Sequence, residues 1–266
     1  KPRLPVVRRF VEVPYGVAIS LDVNTAAERA ASLHELGALH DIFPVQGPVE
    51  KLPGAAERVP FEFDEETYSK DALYPSEQAS VSGPYVIRGR RLFMVEYYPC
   101  RYNPARRELS IASRAMLRLN YSGASRAAPD RAGQRRFSPA FDSWFRNKVV
   151  NYHPPLKLRD ISTDKYAEGF LFVVGNSYAA NAGLLDYIET RRAEGHYVAM
   201  VPMSDIGSTA AALRTYIRGE YLSWSEPTLS YVVLVGDVDD VPVYDGSGGG
   251  HSQVTDLYYA SIDPDD

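Results

Sequence analysis

Three short runs of consecutive apolar residues near the end of the chain constrain its fold more than any other feature. The runs are Phe170–Val174, Tyr197–Val201 and Tyr231–Val235. Such runs are typical of strands that are buried on both faces of a sheet. The segments between them have helical spacing, since Leu213, Ile217 and Tyr221 lie four residues apart. The order strand–helix–strand–helix–strand predicts a doubly wound, mostly parallel α/β sheet over 168–266.

Local signals give the limits of the helices and add a fourth strand. Residues 181–194 are predicted to form one helix, and Ser208 is predicted to be the N-cap of the next. Leu257–Ile262 is predicted to be a fourth strand. Because open sheets of this kind bind ligands at the carboxyl ends of their strands, the residues around Asp237 and Asp263 form the first candidate site.

The first half of the chain has a different pattern, in which apolar and polar residues alternate. This period of two is clear over Val17–Val23, and a second apolar segment, Leu92–Tyr98, follows a tight turn at Arg88–Arg90. Several such strands with turn-rich spacers predict an antiparallel β-sandwich. Ala, Glu and Leu dominate Ala26–Leu39, which predicts one helix within it.

A segment rich in arginine and small residues separates the two patterns. Its composition is that of a flexible linker, and Ser138 is predicted to cap a short helix after it. The chain is thus predicted to comprise a β-sandwich over 1–122, a linker with a short helix over 123–167 and an α/β domain over 168–266. Exposed arginines in such a linker are candidate sites of proteolytic processing. They are Arg126, Arg131, Arg135 and Arg136.

Charge is unevenly distributed along the chain. The sequence has 29 basic and 34 acidic residues, and this net charge of −5 excludes a general nucleic-acid binder. Residues 237–266 contain eight aspartates and no Lys or Arg. A Ca²⁺ ion, which takes ~6–8 oxygen ligands, would neutralise carboxylates that converge there. The candidate ligands are Asp237, Asp239, Asp240, Asp256, Asp263 and Asp265. A solvated acidic edge that keeps the protein soluble explains the same residues equally well.

Other familiar constellations are weak in this sequence. Cys100 is the only cysteine and stands at a strand end in the first half, so a structural thiol is favoured over a nucleophile. His251 follows a glycine-rich segment, Gly246–Gly250, which is predicted to be a flexible surface loop because it lacks the Lys of a phosphate-binding loop. No run approaches the ~18 apolar residues of a membrane span.

Short motifs in both halves follow one another in a specific order and spacing. In the first half they are Phe43–Pro48, Tyr74–Pro75, Val86–Gly89, Pro99–Pro104 and Arg107–Leu109. In the second half they are Ser208–Ile217, Leu234–Asp237, Val241–Pro242 and Thr255–Ala260. On these motifs the sequence resembles the gingipain-type cysteine peptidases, with their propeptide in the first half and their catalytic domain in the second.

The resemblance implies a β-sandwich prodomain followed by a caspase-like α/β catalytic domain. It implies a secreted or cell-surface bacterial endopeptidase that acts on proteins or peptides through a Cys nucleophile and a His, and that binds Ca²⁺. In the family the prodomain packs on its own catalytic domain as an inhibitor or chaperone, and a basic residue on a prodomain loop can occupy the specificity pocket. The loop candidates in this chain are Arg88, Arg90, Arg91, Arg101, Arg106 and Arg107.

In the family both catalytic residues follow the segment that matches Thr255–Tyr259. The chain is therefore expected to be a zymogen fragment that is inactive alone, with no catalytic residue to assign, and its first residues predict no signal peptide. The residues themselves leave three other classes open. These are a non-catalytic β-sandwich binding or adhesion module with a degenerate α/β domain, a nucleotide-dependent α/β enzyme, and an inactive peptidase homologue.

Overall fold

The chain forms two compact units in a computed structural model. The structure describes residues 1–47, 59–127, 138–154, 167–225, 227–248 and 251–262. The first unit comprises 1–84 and 92–126, and the second comprises 85–91 and 127–266. The tip of one hairpin, Tyr85–Arg91, therefore belongs to the second unit, although the strands of that hairpin lie mostly in the first.

In its described residues, the first unit contains two three-stranded sheets and one short helix. Its strands are β1 (Val7–Glu12), β2 (Ala18–Ser32), β3 (Ala79–Ile87), β4 (Arg90–Tyr97), β5 (Cys100–Asn103) and β6 (Glu108–Ser122), and its helix is α1 (Glu65–Ser69). One sheet has the order β1–β4–β3 and the other has the order β2–β6–β5. The pairs β1–β4, β2–β6 and β5–β6 are antiparallel.

Apolar side chains from both sheets meet in one core. Its buried members are Val11, Val13, Val17, Phe93 and Val95. Ile19 and Leu21 from β2 and Leu117 and Leu119 from β6 pack against this cluster. The predicted alternation is confirmed, because the odd-numbered residues of β2 up to Thr25 are partly buried while the even-numbered ones are exposed.

The helix predicted within Ala26–Leu39 is wrong. Strand β2 continues to Ser32, and its pairing with β6 runs from Ala18 opposite Ser122 to Ser32 opposite Glu108. Only the residues that follow form a turn, which closes with the N–H of Gly37 donating to His34 O. The preference of Ala and Glu for helix is a few tenths of a kcal/mol per residue, and main-chain pairing with a long neighbouring strand outweighs it.

The second unit is built on a parallel sheet. Its elements are α2 (Pro139–Lys148), β7 (Gly169–Val174), α3 (Ala182–Ala193), β8 (Tyr197–Pro202), α4 (Ala210–Ser223), β9 (Leu229–Val235), β10 (Tyr244–Gly248), β11 (His251–Thr255) and α5 (Leu257–Ala260). The sheet has the order β8–β7–β9, and β7 is parallel to both neighbours. This confirms the parallel arrangement predicted from the apolar runs. Strands β10 and β11 form a separate antiparallel hairpin.

The two long helices of this unit cover different sets of strand residues. Leu213 and Ile217 of α4 pack in one buried cluster with Leu171 and Val173 of β7. Ile188 of α3 packs in another buried cluster, whose other members are Phe172, Val174 and Val198. Because successive residues of a strand point to opposite faces, α3 and α4 lie on opposite faces of the sheet.

The predicted starts of two helices are confirmed. Ser138 caps α2 by accepting the N–H of Phe141, and Asn181 caps α3 by accepting the N–H of Leu184. The N-cap of α4 is Thr209 rather than Ser208, because the Thr209 side chain accepts the N–H of Ala212. Among the described residues, no helix has the length and apolar content needed to cross a membrane.

Two further predictions near the end of the chain are wrong. Residues Leu257–Ala260 form the short helix α5 instead of a strand, and this turn buries Tyr259, whose hydroxyl donates to Pro242 O. Residues 246–248 belong to strand β10, which pairs with β11, and are not part of a surface loop. Both differences depend on neighbours that are distant in sequence, so the local residue pattern does not reveal them.

Candidate functional site

One carboxylate joins the loops that follow β7 and β9 at the carboxyl ends of the parallel strands. Asp240 accepts a hydrogen bond from Ser177 Oγ at 3.0 Å and another from the N–H of Asp237 at 3.2 Å. Its side chain lies against Gly175 and Gly236, where an added Cβ would come within 2.5 and 2.6 Å of the Asp240 Cβ. Glycine at both positions therefore lets the Asp240 side chain enter between the two loops.

The other predicted ligands are less closely gathered. Asp237 begins a turn, in which its carbonyl accepts the N–H of Asp240 and its Oδ1 accepts the N–H of Val238 at 2.7 Å. Asp239 is exposed on the same turn, and Asp256 is exposed where α5 begins. Asp263 and Asp265 lie outside the described residues. Within the described ranges, no group of three or more His, Cys, Asp or Glu residues is placed to hold a metal ion.

The sequence pattern did not indicate two further residues of this edge. Asn176 Oδ1 accepts the N–H of Ser204, which ties the loop after β7 to the loop after β8. Ser177 next to it holds Asp240, so the Gly175–Ser177 segment connects all three strand ends. The signal available in the sequence was a glycine followed by two short polar residues directly after a buried strand.

The candidate processing residues fall mostly outside the described ranges. Arg126 is exposed, and its N–H donates to Tyr15 O at 2.7 Å. Arg131, Arg135 and Arg136 belong to a segment that the structure does not describe.

The single cysteine has the environment of a structural thiol. Cys100 is half-buried in β5, opposite Ile111 of β6. Burial raises the pKa of the Cys100 thiol, which disfavours the thiolate that a nucleophile needs. The second unit contains no cysteine at all.

A half-buried arginine lies at the opposite, amino-end edge of the sheet in the second unit. Arg88 Nη2 donates to Thr228 Oγ1 at 2.7 Å and Nη1 donates to Leu229 O at 3.2 Å, at the start of β9. Its guanidinium carbon lies 4.5 Å from the ring centre of Phe141 and 5.4 Å from that of Tyr221. Burial lowers the pKa of Arg88, and the charges of Tyr221 and Glu168 act in the opposite direction.

A buried carboxylate completes this edge. Glu168, just before β7, is 7% exposed and accepts the N–H of Ala140 at 2.6 Å and the hydroxyls of Ser138 and Ser230. These bonds fix the first turn of α2 to the amino ends of β7 and β9, and the negative charge also suits the positive end of the helix dipole. Sequence reasoning missed Glu168, because nothing in its local pattern sets it apart from surface glutamates.

Comparisons with known proteins agree on one family. A model of the C25 propeptide matches residues 1–154, and a model of peptidase family C25 matches residues 164–266. Lys-gingipain HG66 from Porphyromonas gingivalis is 25% identical over 272 residues, which cover 99% of this chain and 15% of that protein. Gingipain R2 from the same species is 23% identical over 253 residues, which cover 91% of this chain and 31% of that protein. The chain thus spans less than a third of the length of these relatives.

Two solved structures are also similar to parts of the chain. A structure that addresses the zymogenic latency of gingipain K from Porphyromonas gingivalis has a TM-score of 0.41 at 24% identity, with coverage of 46% of this chain and 66% of that one. A complex of the pro- and mature domains of RgpB from the same species has a TM-score of 0.42 at 21% identity, with coverage of 57% and 73%.

The two family matches, in this order on one chain, define a peptidase preceded by its propeptide. The propeptide match alone covers more than half of the 266 residues. The chain belongs to peptidase family C25, the gingipain-type cysteine peptidases, and it carries the propeptide of that family.

Proposed function

We propose that this chain is the propeptide and the first part of the catalytic domain of a secreted or cell-surface bacterial cysteine endopeptidase, made as a zymogen that acts on proteins or peptides. One observation supports the proposal most strongly: a propeptide match over 1–154 is followed on the same chain by a peptidase match over 164–266. The two sheets with a shared core support a β-sandwich prodomain, and the parallel sheet with helices on both faces supports a caspase-like catalytic domain.

In this proposal the 266 residues by themselves do not hydrolyse peptides. A cysteine peptidase needs a thiolate nucleophile, and the only cysteine of the chain is Cys100 in the propeptide match. The raised pKa of its thiol and its place in a paired strand make it unsuited to that role. The propeptide is then the inhibitor or chaperone of the catalytic domain that it precedes.

The test compares the 266-residue chain with the full-length precursor on fluorogenic peptides that end in different residues. The precursor, once processed, is expected to hydrolyse some of them and to lose activity on thiol alkylation. The 266-residue chain and its Cys100→Ser variant are expected to be equally inactive. Hydrolysis by the 266-residue chain would contradict its inactivity, and an inactive processed precursor would favour a binding or adhesion module.

We also propose a structural Ca²⁺ ion at the carboxyl-end edge of the parallel sheet. Asp237, Asp239 and Asp240 supply hard oxygen atoms on one turn, which is the ligand type that Ca²⁺ prefers. The described residues alone do not form a ligand set, so such a site needs Asp256 to approach or carboxylates from Asp263 and Asp265. Millimolar Ca²⁺ is expected to raise the melting temperature relative to EDTA, while Mg²⁺ has a smaller effect. An unchanged melting temperature would leave the solvated acidic edge as the explanation.

A further inference from the structure

We propose that Arg88 is a latch, which holds the hairpin tip Tyr85–Arg91 on the amino-end edge of the parallel sheet and keeps the propeptide bound after the linker has been cut. The inference rests on the proposed function, in which the residues before the linker, the hairpin tip included, belong to the propeptide. The latch lies at the edge of the sheet away from Asp237 and Asp240, whereas α/β sheets bind ligands at the carboxyl ends of their strands. It therefore retains the propeptide without occupying a specificity pocket there.

The backbone at the tip shows that the turn alone does not favour an arginine. Arg88 and Gly89 connect β3 to β4, and both have positive φ angles, of 47° and 68°. A two-residue hairpin turn with two positive φ angles strongly prefers Asn or Asp followed by Gly. A residue as large as arginine is unfavourable in that conformation unless surrounding contacts hold it there. The contacts of the Arg88 side chain offset this cost.

Those contacts fit a guanidinium better than any other cation. Two nitrogens of one planar group reach the Thr228 hydroxyl and the Leu229 carbonyl, while the Phe141 and Tyr221 rings lie within 5.4 Å of its central carbon. A lysine ammonium keeps the charge but lacks the fork of donors and the flat faces that stack on rings. Truncation at Arg88 would also leave the hydroxyl and the carbonyl without this donor in a buried place.

All four contact residues follow the arginine-rich linker in the sequence. Phe141 lies on α2, Tyr221 on α4, and Thr228 and Leu229 at the start of β9. A cut between Arg126 and Arg136 would therefore place Arg88 on one piece and these four contact residues on the other.

A second arginine of the tip strengthens the same interface. The guanidinium carbon of Arg90 lies 5.2 Å from the ring centre of Phe145 and 4.7 Å from that of Tyr152. Phe141 and Phe145 are four residues apart on α2, so one face of this helix receives both arginines of the turn.

The test cuts the full 266-residue chain with limiting trypsin in the linker and follows the two pieces by size-exclusion chromatography over a dilution series. The wild-type pieces are expected to elute together. Arg88→Asn installs the preferred turn residue, so the hairpin keeps its fold, but it removes the latch. We expect its dissociation constant to rise about 10- to 100-fold, which is the range for a central interface residue. Arg118→Asn, which replaces an exposed arginine of β6, is the matched control and should behave as the wild type does.

Two results would contradict the latch. One is that the two pieces of the cut wild-type chain elute separately, and the other is that the pieces of Arg88→Asn associate as tightly as those of the wild type. Arg88→Lys gives an independent test, because association as tight as that of the wild type would show that the guanidinium is not needed. The assay measures binding and not hydrolysis. A failed latch therefore leaves the proposed function standing, whereas an inactive processed precursor would contradict the proposed function and leave the binding result valid.

Discussion

At the scale of single residues, Tyr102 links the stability of the first unit to pH. Its side chain is fully buried, and its hydroxyl donates to Asp41 Oδ1 at 3.0 Å. Burial and the neighbouring carboxylate together raise the pKa of Tyr102 from 10.0 to about 12. Between these two values the unfolded chain releases the phenol proton and the folded chain keeps it. The contribution of Tyr102 to the free energy of unfolding is therefore fully present below pH 10 and is lost as the pH rises towards 12.

The measurement is the midpoint of urea unfolding across that alkaline range. Phenylalanine at position 102 cannot ionise, so we expect the midpoint of Tyr102→Phe to fall less steeply with pH than that of the wild type. At neutral pH the free energy of unfolding of Tyr102→Phe is expected to be about 1 kcal/mol lower than that of the wild type, because one hydrogen bond is lost. Tyr152, whose pKa is also raised to about 12, serves as a second probe in the second unit. An equal slope in Tyr102→Phe and wild type would contradict the assignment.

Gly175 tests the packing of the candidate site. A Cβ at this position would lie 2.5 Å from the Asp240 Cβ, and Asp240 is held in place by Ser177 and Asp237. Gly175→Ala is expected to destabilise the second unit by about 1–3 kcal/mol, as overpacking usually does. Gly183→Ala in the first turn of α3 is the control, since its Cβ would meet only Asn181 Oδ1 at 3.4 Å. Equal stability of the two variants in thermal unfolding would show that Asp240 does not fill this space.

At the scale of secondary-structure elements, the N-cap of α4 gives Thr209 and Ser208, which are neighbours in the sequence, different roles in stability. Thr209 Oγ1 accepts the N–H of Ala212 at 3.2 Å, whereas the pattern alone had indicated Ser208. We expect Thr209→Ala to lower the free energy of unfolding by about 1 kcal/mol, and Ser208→Ala to leave it nearly unchanged. Urea titrations of both variants decide between the two caps, and a larger loss in Ser208→Ala would show that the sequence-based cap was right.

The secondary-structure elements also show which parts of the fold the sequence alone can predict. The strands Phe170–Val174 and Tyr231–Val235, the cap Ser138 and the helix that follows Asn181 could be predicted, because their signals are local. The strand over Ala26–Ser32 could not, because β6 supplies its hydrogen bonds from more than 70 residues away. In the candidate site, Asp237 and Asp240 were found from their position after a strand. Asn176 and Ser177 were not, because their contacts to Ser204 and Asp240 exist only once the sheet has formed.

At the scale of the whole molecule, the sequence families and the packing divide the chain at different places. The propeptide match ends at residue 154, yet the hairpin tip Tyr85–Arg91 and helix α2, both within that match, belong by packing to the second unit. The half-buried Arg88 and the buried Glu168 lie at the amino-end edge of the parallel sheet. Part of the propeptide match thus packs with the peptidase sequence in the second unit.

Limited proteolysis tests the division of the chain directly. Trypsin at low dose is expected to cut first between Arg126 and Arg136, because this stretch is rich in arginine and small residues and trypsin needs an extended, mobile chain. The arginines of the strands are protected, since their main chain is held in the paired ladders of β1, β4 and β6. Replacement of Arg126, Arg131, Arg135 and Arg136 by Gln should slow the first cut at least several-fold. Mass spectrometry of the first products identifies the cut, and initial cleavage within residues 4–121 would contradict a division of the chain at this linker.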